Sequence, residues 1–337
     1  MSGQPGLFEQ PPTPARRRGV AGQVEASTTS PLLQAPALPV DIRLGTSSWF
    51  FPGWRGLVYE GVHAQTALSK QGLAAYARIP LLRTVSLDRT FYAPITTVQY
   101  QGYARQVPDL FSFVVKAPAL VCDAVMRDEE GRGRVPNPHF LDAGLATREF
   151  VVPCLEGLGD KAGPLVFQVS PLPRTLVEEP ATLVERLGAF FAALPRELGR
   201  HRPLYALELR NADLLTPRLV RMLAGVGVRY CIGLHDRMPE IERQEAALKA
   251  LDGDVPGPLV VRWNLHRGFL YQAAKQRYEP FDKLVDQDPQ TRQVLARMAA
   301  RAFKAGQKVW ITANNKAEGC APLSVLELAR EIAKALA

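Results

Sequence analysis

The sequence predicts an α/β protein: a single (β/α)8 barrel over residues 41–337 behind a disordered N-terminal tail over residues 1–40. Three observations carry that prediction. Eight short, almost continuously apolar segments recur after Asp41, as expected of parallel strands covered on both faces. Amphipathic segments of helical period lie between them, and strand–helix alternation sustained eight times favours a closed barrel over an open sheet. The first forty residues show neither pattern. A chain of 337 residues is long enough for one such domain.

The predicted strands run Ile42–Gly45, Arg83–Leu87, Phe111–Val115, Pro164–Gln168, Leu204–Leu209, Val228–Leu234, Pro258–Arg262 and Lys308–Thr312. Helical spacing is clearest in 181–194, where Leu183, Leu187, Phe190, Phe191 and Leu194 share a face, and in 322–336, which opens with Pro322. Segments 66–78, 213–224 and 291–305 behave alike. Arg127–Asn137 is charged and aperiodic and reads as a surface loop, and residues 263–290 form a second long excursion.

The tail holds seven prolines among Gly, Ser, Thr and Gln, a composition that cannot bury a core. Within it, Gln4-Pro5-Gly6-Leu7-Phe8 resembles the pentapeptide by which bacterial DNA-handling proteins engage the replication sliding clamp. Gln4 would hydrogen-bond while Leu7 and Phe8 fill an apolar cleft; the alternative is an inert tail. The net charge is +8, and +7 of it belongs to residues 41–337, which favours an acidic partner such as nucleic acid or a phosphorylated small molecule. No apolar run nears the ~18 residues that span a bilayer, and no signal-peptide order opens the chain. The four cysteines stand far apart, so a cytoplasmic, reducing setting is expected.

In such a barrel the strand C-termini face the active site. Here they carry Trp49 after strand 1, Asp88 and Tyr92 after strand 2, and Lys116, Gln168, Glu208 and Arg210 at strands 3 to 5. His235 and Asp236 follow strand 6, Arg262 and Asn264 strand 7, and Asn314, Asn315 and Lys316 strand 8. Glu208 and Arg210 lie two apart on one strand and so share a face. Aromatic rings (Trp49, Trp54, Phe91, Tyr92, Trp263) beside cations and amides suit a nucleobase, nucleotide or sugar phosphate.

These residues resemble the YecE-like family of TIM-barrel proteins, domain-of-unknown-function family 72. The resemblance rests on Gly45-Thr46-Ser47-Ser48-Trp49 with Trp54 and Tyr59, Thr90-Phe91-Tyr92, and Phe113-Val114-Val115-Lys116-Ala117-Pro118. Leu158–Pro164 with Phe167-Gln168, Tyr205–Arg210, Arg262, and Asn314-Asn315 with Gly319 and Ala321-Pro322 complete it. It implies a barrel of uncharacterised activity, alike in fold to the endonuclease-four and sugar-isomerase barrels. This chain departs from the family's usual Glu-Ile-Asn-Ser-Thr-Phe-Tyr by carrying Ser86 and Asp88, and from Arg-x-His-Gly by carrying Asn264. Those replacements favour a narrower activity or binding alone.

The expected function is binding or phosphodiesterase-like hydrolysis of a phosphate-bearing ligand, with Glu208, Asp236 and Lys116 as candidate catalytic groups. Trp49, Tyr92, Gln168, Arg210, Arg262, Asn314 and Asn315 are the candidate substrate-binding residues. An enzyme of a small sugar or sugar phosphate and a non-catalytic scaffold are the alternatives. No metal ligand is assigned: His235, Asp236 and Glu208 could in principle supply a single divalent-metal site, but His235 reads first as a hydrogen-bonded histidine and Asp236 as a strand-end carboxylate. No Walker loop, dinucleotide fingerprint or nucleophile elbow occurs, so no cofactor is assigned.

Overall fold

The apolar segments become eight parallel strands in a computed structural model that describes residues 23–127 and 133–337. They are β1 (Ile42–Thr46), β2 (Leu82–Leu87), β3 (Ser112–Lys116), β4 (Ala162–Val169), β5 (Tyr205–Leu209), β6 in two segments (Arg229–Tyr230 and Ile232–Leu234), β7 (Leu259–Trp263) and β8 (Val309–Ala313). Each pairs in parallel with its neighbour in sequence, and β1 pairs with β8 in the register Ile42↔Val309. The ring closes through β6: its first segment pairs with β5 and its second with β7.

One principal helix follows each strand: α1 (Gln65–Tyr76), α2 (Thr97–Ala104), α3 (Val152–Leu158), α4 (Pro180–Ala193), α5 (Pro217–Gly225), α6 (Ile241–Asp252), α7 (Pro289–Lys304) and α8 (Ala321–Leu336). Proline opens α4, α5 and α7, where a missing N–H costs nothing and φ is already helical. Thr216 and Asp288 accept backbone N–H groups at the starts of α5 and α7. Among the described residues no helix is long and apolar enough to cross a membrane.

Strand alternation sorts each strand's side chains between the helical layer and the lumen. Outward-facing Val85, Phe113, Leu165, Phe167, Leu207, Val261 and Ile311 join the main core with the helices. Inward-facing Val114, Val166, Ala206, Cys231, Val260 and Trp310 form a separate apolar plug inside the lumen. Two residues further along the same strands stand Lys116, Gln168, Glu208 and Arg262, all buried. The lumen is thus apolar below and charged at its mouth, which places the polar strand ends on one side of the molecule.

The break in β6 is supported by a side chain. Cys231 N still donates to Leu207 O at 2.9 Å, but Gly233 has left β5. Gln244 of α6, fully buried, takes over: its Oε1 accepts from Gly233 N at 3.0 Å and its Nε2 donates to Gly233 O at 2.9 Å. Glycine at 233 also makes room, since a Cβ there would lie 3.2 Å from a Glu208 carboxylate oxygen.

Two expectations are corrected. Residues 23–40 belong to the folded unit, not to the tail. Ala26 bridges Tyr59, Ser27 N donates to Val58 O at 2.9 Å, and Ser30 caps a short helix over Pro31–Gln34. Val24, Leu32 and Leu38 are buried in the main core, so three apolar anchors spaced through a proline-rich stretch dock it without any period. The segment read as a surface loop, Arg127–Asn137, includes a strand, Gly133–Pro136, that pairs antiparallel with Val125–Arg127; both strands are too short to display an alternating pattern. Gln4, Leu7 and Phe8 lie outside the described residues.

Leu32 is 1% exposed. Leu32→Ala is expected to lower stability in urea by about 2–4 kcal/mol, the range for truncating a packed core leucine. A loss below about 0.5 kcal/mol, ordinary for a surface position, would mean that the strap is not docked.

Candidate functional site

The mouth is organised by a buried ion network. Glu208 on β5 has no exposed surface, and Arg262 on β7 is 2% exposed. Arg262 Nη1 donates to Glu208 Oε2 at 2.7 Å and to Gln168 Oε1 at 3.0 Å. Its Nη2 donates to both oxygens of Asp88 at 2.9 Å, spanning the barrel from β7 to the end of β2. Arg210 pairs with the other Glu208 oxygen at 2.7 Å and donates to Gln168 Oε1 at 3.1 Å. Ser86 Oγ donates to Asp88 at 2.6 Å. Asp88 brings a carboxylate to the mouth just past the end of β2, where Ser86 holds it.

Burial alone would raise the Glu208 carboxyl, but Arg210 and then Arg262 outweigh it and hold it down at about 2. A group so held is ionised at neutral pH and carries no proton to donate. Held between Arg210 and Arg262, Glu208 fixes the two guanidinium groups.

Lys116 differs. It comes from the end of β3, and its Nζ lies 3.5 Å from the centroid of the Phe91 ring. Its ammonium has no hydrogen bond or ion pair among the described residues. Burial pulls it down to about 8; Asp88 opposes that shift and Arg262 adds to it. Arg262 and Arg210 pair with Asp88 and Glu208, whereas the Lys116 ammonium is in an ion pair with neither carboxylate. Asn264 Nδ2 and Arg210 Nε are buried with no hydrogen-bond partner among the described residues. A buried donor without a partner is costly unless a ligand completes it.

These groups line a cleft of about 700 Å³, within the range of small-molecule sites. Asp88, Tyr92, Lys116, Gln168, Arg210, Asp236, Arg262 and Asn314 all reach it, as do Asn264 and His235. Burial, then Arg210, pulls the His235 imidazole below its usual range, so it is neutral at pH 7, beside Asp236. Asn314 Nδ2 donates to Ser47 Oγ at 2.6 Å, joining the β8 and β1 ends.

Some candidates fall elsewhere. Asn315 is buried away from the cleft: its Oδ1 accepts from Trp54 Nε1 at 3.1 Å and from Ala321 N at 2.8 Å, tying the β8 loop to the start of α8. Trp54 and Trp263 are fully buried packing residues. Trp49 is buried as well, its Nε1 donating to Leu68 O at 3.2 Å, and it lines only a neighbouring compartment. Tyr271 and Arg237 line the cleft unforeseen. Tyr271 sits in the 263–290 excursion, which offered no period to place it. Among the described residues no group of three His, Cys, Asp or Glu could hold a metal ion, and Glu208, engaged by two arginines, is not free to ligate one.

Removing one partner of the buried pair should cost far more than removing both. Arg262→Met is expected to lose about 3–5 kcal/mol in urea, and Arg262→Met/Glu208→Gln to recover part of that loss. Because Glu208 is depressed from 4.5 to about 2, its stabilisation is complete above pH 4.5 and is lost as pH falls toward 2. Glu208→Gln should therefore flatten an acid-side loss of roughly 3 kcal/mol in a pH series of urea melts, and an unchanged acid limb would contradict the pairing.

A family model described as a protein of unknown function, DUF72, matches residues 43–337. No curated protein matches the chain. Among solved structures, a DUF72 family protein from Thermotoga maritima superposes with TM-score 0.57 at 17% identity, covering 87% of this chain and 99% of that one. Another from Enterococcus faecalis gives TM-score 0.51 at 18% identity, covering 88% and 95%. At such identities the two structures speak to the fold alone. With the family model spanning nearly the whole barrel, the chain belongs to the DUF72 family.

Proposed function

We propose that the barrel mouth binds a phosphate-bearing ligand, a nucleotide or a stretch of single-stranded nucleic acid, with its phosphate against Lys116. The observation that carries this reading is a buried ammonium without an ion pair: Lys116 Nζ faces a cleft, flanked by two guanidinium groups whose carboxylate partners are already engaged. An anionic ligand relieves both that charge and the unpartnered donors of Asn264 and Arg210. Two tyrosines support the flat part of the ligand. Tyr92 is 85% exposed, and Tyr271 also stands exposed on the rim, so both offer ring faces to a base. The +7 charge of residues 41–337 would draw a polyanion toward the mouth.

Of the groups expected to carry hydrolysis, Lys116 and Asp236 line the cleft. In a hydrolytic step Lys116 would offset the charge that develops on a phosphoryl oxygen, and Asp236 would orient water. Glu208 contributes by holding Arg210 and Arg262 in place.

The test is retention of a fluorescent oligothymidylate at rising salt, followed by polarisation. Retention should fall steeply with salt, and Lys116→Met should weaken it about tenfold and reduce the salt slope by about one. Affinity should also decline as pH rises through about 8, where the unliganded ammonium loses its proton, and that decline should shrink in Lys116→Met. No retention at low salt would refute the proposal.

A further inference from the structure

A second compartment of about 790 Å³ adjoins the Lys116 cleft and shares Asp88, Tyr92, Tyr271 and Asn314 with it as a common wall. Its character differs. Trp49, Phe50 and Phe51 give it an aromatic side, and the two phenylalanine rings stack with centroids 6.1 Å apart. It also contains a second buried amine. Lys316 is 5% exposed, and its Nζ lies 4.2 Å from the centroid of the Tyr271 ring. That Nζ has no hydrogen bond or ion pair among the described residues; burial and then Lys275 lower Lys316 to about 8 against the opposing pull of Glu279, a carboxylate paired with Lys275 instead.

Two adjoining compartments thus repeat one pairing of elements, a buried lysine without an ion pair and exposed ring faces. An apolar core has no use for a lysine in that position; leaving it without a carboxylate is costly unless something enters to pair with it. The volumes agree, since each compartment lies within the range of a small-ligand site. Tyr92 and Tyr271, common to both, form the ridge over which a ligand would pass.

We propose that the mouth takes two consecutive nucleotide units, one per compartment: one phosphate meets Lys116, the next meets Lys316, and the second base lies against the Trp49–Phe51 side. This rests on the reading of the Lys116 cleft as a phosphate site and adds the minimal ligand, a phosphodiester-linked dinucleotide with a 5′-phosphate. Lys316 becomes a ligand-binding residue and Tyr271 a shared wall.

The experiment compares thymidine 5′-monophosphate with 5′-phosphorylated dithymidylate by calorimetry at low salt. The intact protein should bind the dinucleotide at least about tenfold more tightly, the scale of one added stacked base and one added phosphate contact. Lys316→Met should erase that margin. Ser69→Trp should erase it too, by filling the compartment from an exposed position on its α1 rim without touching a buried contact. A margin that survives Ser69→Trp, or that survives Lys316→Met in a protein that still melts cooperatively, overturns the two-unit assignment. Equal affinities of the intact protein for the two ligands overturn it while leaving the Lys116 site standing. Failure to bind either ligand removes the phosphate site itself.

Discussion

A carboxylate with no exposed surface meets a guanidinium with almost none inside the barrel, 2.7 Å apart, and the mouth of the molecule is arranged around that contact. An ion pair taken out of water is not a cheap source of stability, because desolvation offsets much of the Coulombic attraction. What it supplies here is geometry. Arg262 reaches Glu208, Gln168 and Asp88 at once and so ties β5, β4 and β2 to β7 across the lumen. With Asp88 and Glu208 both committed to arginines, the Lys116 amine faces the cleft without an ion pair among the described residues.

The fold serves that network in small ways. Gly233 leaves space for the Glu208 side chain, and Gln244 satisfies the backbone that Gly233 takes out of the β5 ladder. The apolar plug of Val114, Val166, Ala206, Cys231, Val260 and Trp310 closes the lumen below, so the ion network rests on a low-dielectric floor. Interactions inside such a layer are screened less than at the surface, which is why the Arg210 and Arg262 charges can outweigh the burial of Glu208. The same burial, with no carboxylate committed to it, lowers Lys116 instead.

Much of this was legible in the residues. Continuous apolar runs located all eight strands, and polar residues at their ends marked the face that carries the cleft, because strand direction and parity fix both. Glu208 and Arg210 share one face, as their spacing predicts; what spacing could not convey is that Arg262, far along the chain, pairs with the same carboxylate. Asn315 failed for a related reason: a polar residue at a strand end can turn inward to hold a loop, and only the Trp54 and Ala321 contacts reveal it. The strap over residues 23–40 escaped notice because a few docked side chains in a proline-rich stretch leave no period. Tyr271 opens a helix of only eight residues, Tyr271–Tyr278, too short and too polar to show a helical period within the 263–290 excursion.

The central claim is that Lys116 is a buried amine without an ion pair, waiting for an anion. Calorimetry of a 5′-phosphorylated oligothymidylate at pH 8.5, in two buffers of different ionisation enthalpy, tests it most directly. An amine lowered to about 8 is mostly deprotonated there and must regain its proton as the phosphate binds, so net proton uptake is expected, diminished in Lys116→Met. Binding with no proton uptake, or with uptake unchanged by that substitution, would contradict the account.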